Sequence, residues 1–123
     1  MIVGLGIDMT ELARLEAIYR KFGLRFLEKI LTPAELAALP ARPIAYLAGR
    51  FSAKEAAVKA LGTGFSNGIG PRQIEVGHDA QGAPQLRLLA EAENRARRLG
   101  VKHCHLSISH ERFAAVAVVV LEA

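Results

Sequence analysis

Glu55 stands four residues after Phe51 and three before Val58, on what spacing makes the apolar stripe of a helix. An unpaired carboxylate there costs on the order of several kcal/mol, so Glu55 needs a partner. One partner is Lys59 at i+4, worth roughly 0.2–0.5 kcal/mol on an exposed helix. Another is a divalent cation shared with Asp8, since a hard ion such as Mg²⁺ takes one or two carboxylates and fills its remaining positions with water and substrate phosphate. Spacing leaves both open. Asp8 closes the run Gly4-Leu5-Gly6-Ile7-Asp8, which opens like a dinucleotide fingerprint but has Met9 where the third glycine belongs, so a Rossmann site is excluded. At an expected strand-to-helix junction, Asp8 or Thr10 could equally cap the helix by accepting a backbone N–H.

Arg50, Lys54 and Lys59 add three cations to the helix of Glu55, and Gly62-Thr63-Gly64 follows it. The cations read either as a solvated face or, with the glycines, as a place where phosphate meets charge and closely approaching backbone. A P-loop is absent, because no G-x-x-x-x-G-K-[ST] occurs. Ser109 and His110 lie at a strand end, but neighbours on a strand point opposite ways, which argues against a nucleophilic pair. His103 and His105 share a strand face, yet no further Cys/His cluster completes a zinc site. On the first helix Arg14, Ile18 and Lys21 fall in one narrow stripe, which Arg25 would extend if the helix continued past Gly23. Cations around one aliphatic residue suit an acidic amphipathic helix as well as they suit solvent.

The elements that must position these groups follow from periodicity. Met1–Ile7 is an apolar strand whose Gly4 and Gly6 signal a close backbone neighbour. Leu12, Leu15, Ile18 or Tyr19, and Phe22 mark a helix from about Thr10 to Gly23. A short helix is expected over Leu24–Leu31, and Thr32-Pro33-Ala34-Glu35 forms a capping box that opens another to about Leu39. Pro43 starts the main helix, with Ile44, Leu47, Phe51, Val58 and Leu61 at helical spacing, and Gly62 and Gly64 stop it. Ile74 and Val76, a turn at Asp79–Gly82, then Leu86 and Leu88 predict a hairpin. Ala90–Leu99 is a polar helix capped by Gly100, and strands over Cys104–Ile108 and Phe113–Leu121 flank a turn at Ser109–Arg112. Helices first and antiparallel strands later make the class α+β, N-terminal helices packed on an antiparallel sheet.

A chain of 123 residues fits one domain spanning 1–123, and 51% hydrophobic against 23% charged residues excludes disorder and rod-like folds. Sixteen Lys+Arg against 12 Asp+Glu give a net charge of +4, which predicts an anionic partner. Cys104 is the single cysteine, no signal-peptide pattern opens the chain, and Phe113–Leu121 is about half the ~20 residues of a membrane helix. A cytoplasmic protein with no membrane span is therefore expected. A small basic nucleic-acid-binding module would account for the charge, but aromatics at 6% supply few stacking platforms. A metal-dependent phosphohydrolase would account for Asp8, Glu55 and Lys59.

Along its whole length the sequence resembles the holo-[acyl-carrier-protein] synthases, the small bacterial type of 4′-phosphopantetheinyl transferase. The resemblance rests on Gly6-Ile7-Asp8 with Thr10-Glu11-Leu12, on Ala48-Gly49-Arg50-Phe51-Ser52-Ala53-Lys54-Glu55-Ala56 continuing through Lys59-Ala60-Leu61-Gly62-Thr63-Gly64, and on Ser107-Ile108-Ser109-His110. It implies transfer of the phosphopantetheine arm of coenzyme A to a serine of acyl carrier protein, a Mg²⁺-dependent step serving fatty acid biosynthesis that releases adenosine 3′,5′-bisphosphate. It further implies Asp8 and Glu55 as metal ligands and Lys59 as the cation on the pyrophosphate. Arg50, Lys54, Gly62 and His110 fall where the family contacts coenzyme A, and Ile18, Arg20 and Lys21 fall in its carrier-docking region, which makes the stripe of Arg14, Ile18 and Lys21, with Arg25, the expected dock for the acidic carrier. A homotrimer with sites between subunits is implied, and no nucleic acid or membrane partner.

Overall fold

In the computed structural model, which describes residues 1–123, the first strand alternates small and large residues, and that alternation sets the architecture. In β1 (Ile2–Glu11) the even positions Gly4, Gly6, Asp8 and Thr10 face inward, while Leu5, Ile7 and Met9 point out. The inner face lies directly on the main helix α4 (Ile44–Leu61). A methyl on Gly6 would sit 1.9 Å from the Ala56 carbonyl oxygen, and one on Gly4 2.2 Å from that of Ala60. Only glycine admits such an approach.

After β1 come α1 (Leu12–Phe22), α2 (Leu24–Ile30), α3 (Pro33–Ala37) and α4; then β2 (Ile74–His78), β3 (Pro84–Leu88), α5 (Ala90–Arg98), β4 (His103–His110) and β5 (Ala114–Glu122). The expected α+β class holds. The strands form two antiparallel sheets rather than one: β1-β5-β4, and the hairpin β2-β3. Between them α4 is buried on most of its circumference, its alanines at 48, 53, 56, 57 and 60 thinning the helix enough to pack on several sides. Gly23 (φ 55°) ends α1, so Arg25 belongs to α2. The Thr32/Glu35 capping box forms as expected.

Two boundaries differ from the periodicity. Pairing with β5 carries β1 through Asp8 and Thr10 to Glu11, with Asp8 opposite Ala117 and Thr10 opposite Ala115. Asp8 therefore lies within a strand, α1 begins without a side-chain cap, and the Thr10 hydroxyl shares a 2.7 Å hydrogen bond with that of Ser52. Likewise β4 continues through Ser109 and His110, opposite Val116 and Ala115. In both places cross-strand pairing extends a strand beyond its apolar residues.

Candidate active site

Inward projection from β1 puts Asp8 against the flank of α4 that carries Glu55 and Lys59, and one cleft of about 410 Å³ holds all three. Lys59 Nζ donates to Asp8 Oδ1 at 3.1 Å and to the Ile7 carbonyl at 3.0 Å. It makes no ion pair with Glu55, so the i,i+4 bridge is not formed. Glu55 has no hydrogen-bond partner in the chain, and its carboxyl is pushed above the ordinary carboxylate range, first by burial and then by the Asp8 charge, with Lys59 opposing. Two carboxylates thus face one cleft, Lys59 bonds only Asp8, and Glu55 lacks any donor. That donor set suits a hard cation whose other positions are filled by water and phosphate oxygen. No third carboxylate, His or Cys completes an all-protein metal cage.

The same cleft is walled by Arg14, Leu15 and Ile18 of α1, by Phe26 of α2 and by Phe51 of α4. Two of the four expected docking residues, Arg14 and Ile18, thus stand beside the carboxylates. Arg25 lines an adjoining cavity of about 270 Å³ that shares Ile18 and Phe26. Lys21 is apart: it borders Ala13, Ala17 and Arg20, and its ammonium sits 5.3 Å from the Phe22 ring centre. Phe26 went unnoticed in the sequence because the break at Gly23 is what turns α2 back over the cleft.

None of the four expected coenzyme A contacts lines this cleft. Arg50 lies five residues before Glu55, about 140° away around the helix, stacked 3.9 Å from the Tyr46 ring centre and hydrogen-bonded to His78 at 2.9 Å. Lys54 is turned into the core: its side chain is fully buried, bonded to Glu35 at 2.8 Å, to the Pro71 carbonyl at 3.0 Å and to the Ile74 carbonyl. Burial lowers its pKa while Glu35 opposes the shift. Glu35 in turn accepts from the amides of Thr32 and Val76, and the network ties α3, α4 and β2 together. Gly62 closes the main helix. It caps α4 at φ 79°, and the amides of Gly62, Thr63 and Gly64 all turn back to the Val58 and Lys59 carbonyls, leaving none to cradle a phosphate. His110 is exposed at the end of β4, across Ala115 from Thr10. Ser109 forms no side-chain hydrogen bond with it.

Residues 4–118 match the model of the 4′-phosphopantetheinyl transferase superfamily. A holo-[acyl-carrier-protein] synthase of Desulfovibrio desulfuricans is 61% identical over 123 residues, covering 100% of this chain and 99% of the relative; one of Maridesulfovibrio salexigens is 56% identical, covering 99% of each. Among solved structures, the synthase of Neisseria meningitidis superposes with a TM-score of 0.93 at 39% identity, covering 100% of both chains. That of Bacillus anthracis, solved with coenzyme A (3′,5′-ADP), gives 0.82 at 42% identity, covering 100% of this chain and 98% of the other. The fold is thus shared across the full length, and the chain belongs to the 4′-phosphopantetheinyl transferase superfamily, among the holo-[acyl-carrier-protein] synthases.

Proposed function

We infer that this protein transfers the 4′-phosphopantetheine arm of coenzyme A to a serine of apo-acyl carrier protein and releases adenosine 3′,5′-bisphosphate. The observation that carries this reading is that Asp8, Glu55 and Lys59 share one cleft with Arg14 and Ile18, so phosphate chemistry and a basic, aliphatic docking edge meet. The carrier's serine oxygen attacks the β-phosphorus of coenzyme A. A new P–O bond forms, the bond to the leaving bisphosphate breaks, and the hydroxyl proton passes to a water in the cleft. Such in-line transfer needs no covalent enzyme intermediate, in keeping with a cleft that holds no activated nucleophile. Asp8 and Glu55 are the residues that would hold Mg²⁺, which supplies charge neutralisation at the phosphate oxygens. Lys59, half exposed, is free to turn from Asp8 to the pyrophosphate and support the departing charge.

Coenzyme A is too long for this cleft alone, and Arg50 faces another flank of α4. Arg50 and His110 are proposed as its further contacts, with a neighbouring subunit closing the site. The open face of the β1-β5-β4 sheet supports assembly: Leu5, Ile7 and Met9 are each at least 58% exposed beside Val116, Val118 and Val120. An uncovered sheet face of this kind marks a partner surface, and the resemblance implies three copies.

Incubation with coenzyme A, Mg²⁺ and apo-carrier tests the reading by mass spectrometry. The carrier gains the mass of one phosphopantetheine, and chelation of the ion stops the gain. Hydrolysis of coenzyme A with the carrier unchanged would instead establish a phosphohydrolase, and neither change would refute phosphate chemistry here.

A further inference from the structure

Arg50 is over nine-tenths buried, yet its Nε has no hydrogen-bond partner and its Nη1 bonds nothing within the chain. A guanidinium normally uses its donors when it leaves water. Here the neighbours hold the group rather than satisfy it. Tyr46, one helical turn earlier, lies flat beneath it at 3.9 Å and is itself anchored, its hydroxyl donating to the Glu35 carbonyl at 2.9 Å. From the hairpin, His78 Nε2 accepts from Arg50 Nη2 at 2.9 Å. Arginine has no acceptor, so His78 must be the tautomer with its proton on Nδ1. Clamped below by an aromatic ring and at one edge by an imidazole, the guanidinium is left with the rest of its fork unpaired, the arrangement that accepts an anion with little ordering cost.

We propose that His78 is a positioning residue for coenzyme A binding, holding the Arg50 guanidinium on Tyr46 so that its free donors meet a phosphate group. This rests on the reading of Arg50 as a coenzyme A contact. His78 is exposed at the end of β2 and packs nothing in the core, so its conservation of shape is not needed for folding; what it supplies to Arg50 is one acceptor. Losing that acceptor frees the guanidinium to sample other rotamers, which weakens coenzyme A and leaves the carrier site untouched.

Steady-state kinetics and calorimetric titration of coenzyme A separate the cases. In the full-length protein, His78→Ala should raise both KM and Kd for coenzyme A about tenfold, the worth of one hydrogen bond to a charged group. The carrier KM, kcat and the melting temperature should stay as in the parent. His78→Gln, whose amide oxygen can accept the same bond, should restore affinity to within about twofold. Arg50→Ala should weaken coenzyme A at least as much, and adding His78→Ala to it should do nothing more. Unchanged coenzyme A affinity in His78→Ala, no rescue by glutamine, or a double variant that multiplies the single effects would each overturn the proposal while sparing the role of Arg50. Silence of Arg50→Ala would overturn both.

Discussion

The charge on Glu55 works against the fold. A carboxyl whose folded-state pKa lies above its unfolded value weakens the fold wherever it is ionised, and that loss disappears as pH falls through the folded value. Glu55 is such a group, raised by burial and by Asp8. Glu55→Gln keeps the shape and removes the charge, so without Mg²⁺ its Tm at neutral pH should rise by about 1–2 °C, the gain fading in acid. Its transfer activity should be lost. Near-normal Mg²⁺-dependent turnover in that variant would remove Glu55 from the ligand set. Arg14 poses a separable question from the same cleft. If it steers an acidic carrier, Arg14→Glu raises the carrier KM by about tenfold or more, chiefly at low salt, and leaves coenzyme A affinity unchanged. Equal losses for both substrates would place Arg14 on coenzyme A instead.

Among the elements, α4 carries most of the argument, since one helix presents Glu55 and Lys59 to β1, Arg50 to the hairpin and Lys54 to α3. The Glu35–Lys54 pair is where that helix is tied to its surroundings. A buried ion pair roughly balances its own desolvation, but removing one partner strands the other and costs about 3–5 kcal/mol. Lys54→Met should therefore lower stability by an amount of that order in denaturant titration, and Glu35→Gln combined with it should recover part of the loss. A Lys54→Met variant as stable as the parent, but with weakened coenzyme A binding, would make Lys54 a ligand contact rather than a tie in the core.

For the whole molecule, the unanswered demand is the outer face of the β1-β5-β4 sheet. Leu5, Ile7 and Met9 stand over the valines of β5, while β4 contributes His105, Ser107 and Ser109 to the same rows. Ile7 is central to the apolar part, and it neighbours Asp8 in the chain while pointing away from the cleft. If copies of the chain pack through this face, Ile7→Glu should leave the chain folded, because the side chain is 58% exposed, yet leave only monomers in sedimentation analysis and abolish turnover with them. Full activity in a sedimenting monomer would show that one subunit builds the whole site.

Periodicity and glycine placement were enough to establish the order of the elements, the capping box at Thr32, the hairpin turn and the close approach at Gly6, because each depends on residues within a few positions of one another. They also placed Glu55 and Lys59 on α4 and made Asp8 a candidate beside them. Partner choice was beyond their reach. A helical repeat sets the angle at which a side chain leaves the helix, but not which distant segment lies there. Lys59 therefore pairs with Asp8, 51 residues away, rather than with its neighbour one turn back. The same limit hid Glu35 from Lys54 and His78 from Arg50, and it made the Gly62 loop look open when its amides were already closing the helix. A long flexible cation takes whichever acceptor the packed chain brings within 3 Å or so, and only the tertiary structure decides which acceptor that is.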